Sequence, residues 1–110
     1  MFKITHPITK IEIEVANQDL DPMTWEDAEK ACNSYGYGWR LPSLLELETI
    51  CKNFHINGIG NFTNTNYWSC TKSTLFLKMG VYDFESSIFF ASNINNLHFV
   101  RPVRDMLSLS

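Results

Sequence analysis

The sequence predicts an α+β domain. Three observations carry that class: an early period-two segment, two helical segments each opened by a capping residue, and a second half rich in strand and turn formers. A chain of 110 residues fits one domain spanning 1–110, with no repeat, low-complexity tract or linker. At that size roughly 65% of the unfolded chain's surface becomes buried, enough for a core without metals or disulfides.

The elements follow in order. Ile8, Lys10, Glu12 and Glu14 alternate with Thr9, Ile11, Ile13 and Val15, which predicts a half-buried strand. Asn17 to Pro22 supplies turn formers, with Asp19 and Asp21 expected as solvated turn residues. Thr24 stands at a helix N-cap with Asp27 three residues on. Trp25, Ala28, Ala31, Cys32 and Tyr35 then recur at helical spacing until Gly36 and Gly38 end the helix. The second helix opens on a Ser43-x-x-Glu46 capping box behind Pro42, and its buried stripe is Leu44, Leu47, Ile50, Cys51 and Phe54. Residues 57–66, rich in Gly and Asn, read as a loop. From Tyr67 on, strand formers dominate. A short strand is expected at Tyr67-Trp68, ending near Cys70, and a long one over Leu75 to Phe84. Shorter ones are expected at Ile88 to Ala91 and Phe99 to Val103, where Pro102 marks an edge or the end of pairing.

Composition removes several function classes. Hydrophobic residues make up 45% and charged ones 19%, so disorder is excluded. A net charge of -3, with Arg101 and Arg104 as an isolated basic pair, argues against a nucleic-acid partner. No apolar run approaches a membrane span, and Met1-Phe2-Lys3-Ile4 lacks a signal peptide's apolar core. The chain as given therefore reads as non-secreted, in the cytoplasm or within a larger assembly. Three cysteines cannot all pair in one molecule. Cys32 and Cys51 are expected as small buried helix residues, and the role of Cys70 is open. His6, His55 and His98 are scattered and specify neither a catalytic dyad nor a metal cluster.

Three punctuated segments stand out: Gly38-Trp39-Arg40-Leu41-Pro42, Tyr67-Trp68-Ser69, and Phe99-Val100-Arg101-Pro102-Val103-Arg104. In that order they resemble the bacterial C-type-lectin-like domain family. Its members include tip domains of collagen-like adhesins and variable proteins diversified by retroelements. The resemblance runs from about Ile13 to Asp105 and implies a C-type-lectin-like fold, two helices packed on a twisted antiparallel sheet with the chain ends close together. It also implies a display frame in which the last third carries ligand-contacting residues. Trp39 and Trp68 are expected to fill the core, and Arg40, Arg101 and Arg104 to act as internal clamps. Calcium-dependent sugar-binding C-type lectins use an acidic-amide motif around a proline and a Trp-Asn-Asp triplet. Neither occurs here. No metal and no cofactor is therefore expected. Gly80 falls about where relatives often carry a tryptophan.

The resemblance implies a non-enzymatic recognition module, calcium-independent, for a protein or carbohydrate ligand. The candidate contacts lie in the irregular segments Lys72 to Asp83 and Ser92 to His98: Lys72, Thr74, Phe76, Lys78, Val81, Asp83, Asn93, Asn95 and His98. Leu75, Phe76 and Leu77 have the competing reading of core completion. Two alternatives stay open. One is a structural subunit or homo-oligomer joined through a sticky strand at Leu75 to Val81. The other is an enzyme resembling formylglycine-generating oxidases, which use paired cysteines and copper, whereas Cys70 stands alone in its half of the chain.

Overall fold

Tyr67 and Trp68, adjacent in the chain, point to opposite faces of one sheet, and two halves of the core form around them. The computed structural model describes residues 2–106. Its elements are β1 (Phe2–Thr5), β2 (Glu12–Val15), β3 (Leu20–Met23), α1 (Trp25–Tyr35), α2 (Leu44–Asn53), a 3-10 turn (His55–Asn57), β4 (Asn66–Lys72), β5 (Lys78–Asp83), β6 (Ile88–Asn93), β7 (His98–Val100) and β8 (Val103–Asp105). A three-stranded sheet runs β1-β2-β8 and a five-stranded sheet runs β3-β7-β4-β5-β6. All pairings are antiparallel except β4 with β7.

Both helices form where their caps put them. Thr24 Oγ1 accepts from the Asp27 amide, and Ser43 with Glu46 makes a reciprocal capping box. Alternation along the strands divides the core. Tyr67, Tyr82 and Phe84 face Leu47, Ile50 and Cys51 of α2, together with Ile13 and Val15 of the small sheet. Trp68, Met79, Val81 and Val100 face Ala28 and Cys32 of α1. The centre of the five-stranded sheet is thus covered on both sides, where Tyr67 and Trp68 of β4 and Val81 and Tyr82 of β5 are all buried. Gly80 meets α2 closely: a Cβ there would lie 2.9 Å from Leu44 Cδ1 and 3.1 Å from the Thr71 carbonyl oxygen. A bulky residue at this position would push the helix away.

Several strands depart from expectation, each for a local reason. Of Ile8 to Val15 only Glu12–Val15 pairs. His6 Nδ1 accepts from the Ile8 and Thr9 amides, and Lys10 adopts φ 64, so this stretch closes a hairpin turn with Ile8 exposed. The partner strand is β1, whose Ile4 packs with Ile13. Asn17 to Pro22 is only partly turn, because β3 pairs with β7. Leu75 to Leu77 is not strand: it forms the β4–β5 turn, while β4 continues past Cys70 to Lys72. Phe99 to Val103 divides at Arg101-Pro102, and its halves enter different sheets. Lacking an N–H, Pro102 ends the ladder while its carbonyl accepts from the Ala16 amide at 2.9 Å.

All three arginines act as clamps, but only Arg101 is internal; Arg40 and Arg104 are part-exposed. Arg40 donates to both carboxylate oxygens of Glu46 at 2.8 and 2.9 Å, and to Asp105 Oδ1 at 2.7 Å. Its backbone exchanges two hydrogen bonds with Val103. Arg104 donates to Glu14 at 2.8 Å, with its guanidinium 4.8 Å from the Trp39 ring. Trp39 therefore does not fill the core. It is half-buried, edge-on to Tyr35 at 4.9 Å, and the core role falls to Trp68. Arg101 is wholly buried, and Asp19 is not a solvated turn residue but its partner at 2.9 Å.

Burial pushes the Glu46 carboxyl pKa up, but hydrogen bonds from Arg40 and Ser43 outweigh it and hold it below 4.5. A depressed carboxylate stabilises the fold above its unfolded pKa, and that stability is lost as pH falls through the folded value. Glu46→Gln is expected to lower the unfolding free energy at neutral pH by about 2 kcal/mol, the size of charged hydrogen bonds. It should also flatten the stability loss below pH 4.5 in urea titrations. An unchanged acid limb would show that the clamp does not stabilise the fold.

Candidate ligand-binding surface

The β4–β5 turn (residues 73–77) and the β6–β7 turn (residues 94–97) lie at the same end of the five-stranded sheet. The Ile94 amide donates to the Leu77 carbonyl at 3.0 Å, and Lys78 stands opposite Asn93. The Trp25 amide at the start of α1 donates to the Ile94 carbonyl, and Trp25 Nε1 donates to the Ser69 carbonyl, so the frame holds both turns. Between them they expose Leu75, Phe76, Leu77 and Leu97. Phe76 is 88% exposed, which rejects the reading that this tripeptide completes the core.

The sequence-predicted contacts divide into three sets. Lys72, Thr74, Phe76, Asn93 and Asn95 are exposed at this end, and Lys78 is half-buried beside them. Asn93 Oδ1 accepts from the Asn95 amide, ordering the turn. Val81 does not belong: it is fully buried against α1, because the strand it sits on is internal to the sheet. Asp83 does not belong either. It lies at the opposite end of β5 and is engaged by the Glu85 amide and the Ser86 hydroxyl. His98 is half-buried, edge-on to Trp68 at 4.7 Å, with Nε2 2.8 Å from the Ser92 hydroxyl. Burial holds its pKa below 6.5. It supports the turn from beneath rather than facing solvent.

Sequence reasoning left Leu75, Leu77 and Leu97 out of the contact set. Three bulky apolar residues at the centre of a hairpin were the available signal, but alternation made them look like strand. Leu77 adopts φ 57, a left-handed conformation that costs a bulky side chain energy. A groove of about 290 Å³ adjoins the turn, floored by Gly80 and Ala91 and walled by Leu44, Lys72 and Phe89.

Other chemistry-bearing groups are engaged elsewhere. A cleft of about 520 Å³ passes between Tyr37, Arg40, Arg104 and Asp105, but its arginines are already paired with Glu46, Asp105 and Glu14. Cys32 and Cys51 are buried, and burial with Glu29 nearby pushes the Cys32 thiol up to about 12. Cys70 is exposed, and partial burial raises its thiol pKa despite Arg40 nearby, which disfavours the thiolate. Among the described residues no three His, Cys, Asp or Glu side chains converge on a common point. No helix there is long and apolar enough to cross a membrane.

No protein-family model matches this sequence, and no curated protein does so either. Solved structures do match. Botrocetin is similar over 86% of this chain and 90% of its own, with a TM-score of 0.58 and 10% sequence identity. A complex of botrocetin with a mutant von Willebrand factor A1 domain matches with the same coverage and TM-score at 12% identity. At such identities the likeness is one of fold: the chain has the C-type-lectin-like fold, α+β with two helices on an antiparallel-rich sheet.

Leu77→Gly should raise the unfolding free energy by about 0.5–1 kcal/mol. Relief of the left-handed leucine contributes 1–2 kcal/mol, offset in part by glycine's greater freedom when unfolded. Guanidinium melts of the two proteins would measure it, and a destabilised variant would show that Leu77 packs productively.

Proposed function

We propose that this chain is a non-enzymatic recognition module of the bacterial C-type-lectin-like kind. It captures a protein ligand on the end formed by the β4–β5 and β6–β7 turns, without calcium. The observation that carries the reading is the convergence of Leu75, Phe76, Leu77 and Leu97 on two turns held by a hydrogen-bonded frame. Large apolar anchors ringed by Lys72, Lys78, Asn93 and Asn95 match the composition of a protein–protein contact, in which a few buried side chains dominate the energy. Botrocetin, of similar fold, is seen in complex with a protein domain.

The engagement of the turn carboxylate supports the calcium-independent part of the reading. Asp19, the better placed of the two turn aspartates, accepts from Arg101 on one oxygen and from Tyr67 and Thr63 on the other. These three bonds occupy most of the carboxylate's acceptor capacity, whereas a calcium ion needs six to eight oxygens converging on one point. The raised Cys70 thiol supports the non-enzymatic half of the reading.

The test is a peptide library selected against the immobilised wild-type chain and re-assayed against Phe76→Ser and Leu97→Ser. Selected peptides should bind equally with and without chelator and lose at least about tenfold in affinity on either substitution, the effect of one interface anchor. Binding unaffected by both substitutions would refute the site. Retention of sugars on a glycan array, abolished by chelator, would refute the ligand class and the calcium independence together.

A further inference from the structure

Among the described residues β6 ends the five-stranded sheet with one side unpaired, and it carries none of the devices that protect an edge. Ile88, Phe89 and Phe90 stand 56%, 64% and 39% exposed in succession. The strand has no proline, no lysine and an unbroken register with β5. The opposite edge, β3, is guarded by exposed Asp21 and Pro22 and a register shift. β5, the strand that sequence alone would offer for association, is paired on both sides.

The geometry points to a second copy of this chain as the occupant of that edge, through antiparallel pairing of β6 with β6 about a twofold axis. Three features favour a copy over a foreign strand. First, no charged side chain occurs between Glu85 and Arg101, so two copies of β6 meet without repulsion, and a charged partner strand would find no counter-charge. Second, the ends of the strand differ in sign. Ile88 stands opposite Asp83 with Glu85 close by in the chain, while Asn93 stands opposite Lys78. Antiparallel association therefore sets the acidic end of one copy beside the basic end of the other.

Third, the shapes are self-complementary. A twofold axis normal to the sheet keeps like faces together, so directly opposed residues have the same parity. With the axis at Phe90, each Phe90 meets its own counterpart and each Phe89 stands opposite Ala91 of the second copy. Ala91 pairs with Gly80 within one chain, and these two small residues floor the 290 Å³ groove beside β6. Phe89 of each copy thus enters the groove of the other, an isologous knob and hole that closes after two chains. The pairing leaves the two recognition ends pointing in opposite directions, so the proposal stands independently of what they bind.

Light scattering of the purified chain at tens of micromolar should give the mass of a dimer. Phe89→Lys and Phe90→Lys should both give monomers with unchanged far-ultraviolet spectra, whereas Phe76→Ser should remain dimeric. Phe89 is mostly exposed, so its replacement tests the contact even where Phe90→Lys disturbs folding. A monomeric wild type, a dimer that survives Phe89→Lys, loss of the dimer on Phe76→Ser, or open-ended assemblies would each overturn the inference.

Discussion

A buried guanidinium holds the two sheets and the long loop together. Arg101 is inaccessible to solvent, and its donors reach Asp19 Oδ1 and the carbonyls of Ala16, Gly60 and Asn61 at 2.9–3.0 Å. Its flat face lies 3.9 Å from the Phe62 ring centroid. A cation taken out of water costs several kcal/mol unless its donors are met, and here four bonds engage four of the five N–H donors. The acceptors come from segments 40 to 85 residues away in sequence. One side chain thus fixes the exit of β2, the approach to β3 and the 57–66 loop at once. The loop complies because Gly60 and Asn61 take positive φ, which turns both carbonyls inward. Asp19 extends the network to the Tyr67 hydroxyl and thence to the Thr63 amide, so the central strand β4 is tied to the same point.

A second clamp works at the start of α2. Arg40 reads both Glu46 and Asp105, joining the N-terminus of α2 to the last described strand. Because Glu46 also caps its own helix by accepting from the Ser43 amide, the start of α2 and the last described strand are joined through one Arg40–Glu46 pair. With the frame held by these two clamps, the β4–β5 and β6–β7 turns are left to project. Their order comes from backbone bonds and short Asx and Ser turns such as Asn93 with Asn95 and Ser73 with Leu75. The exposed side chains on these turns can vary without reaching the core, whereas Ile94 packs against it. The one internal exception among the proposed contacts, Val81, lies on the strand between them and is closed off by α1.

The frame was legible in the sequence because its signals are local. A capping box, a Thr N-cap and apolar residues at helical spacing specify α1 and α2 within a few residues. The arginine clamps were legible as a type, since arginine among apolar neighbours needs an acceptor, but not their partners: Asp19 and Arg101 are 82 positions apart. Strand ends were less legible. Ile8 to Ile11 and Leu75 to Leu77 alternate as strands do, yet both form turns, because pairing depends on a partner that alternation does not name. Phe2–Thr5 and Leu20–Met23 are strands for the same reason in reverse. Half of the candidate surface followed from position after the frame motifs. Leu97 and the bare edge at Phe89 and Phe90 emerge only from which turn neighbours which, and from which strand comes last in the sheet.

If the fold depends on the forked geometry of Arg101 and not merely on its charge, Arg101→Lys separates the two. A lysine keeps the cation opposite Asp19 but presents one point charge where four planar-directed bonds are needed. Equilibrium unfolding in urea should show a loss of about 3 kcal/mol, as for a broken buried pair. Amide exchange should accelerate first across residues 60–65, where the lost carbonyl contacts lie. A lysine variant within about 0.5 kcal/mol of wild type, the range of ordinary surface changes, would contradict the account.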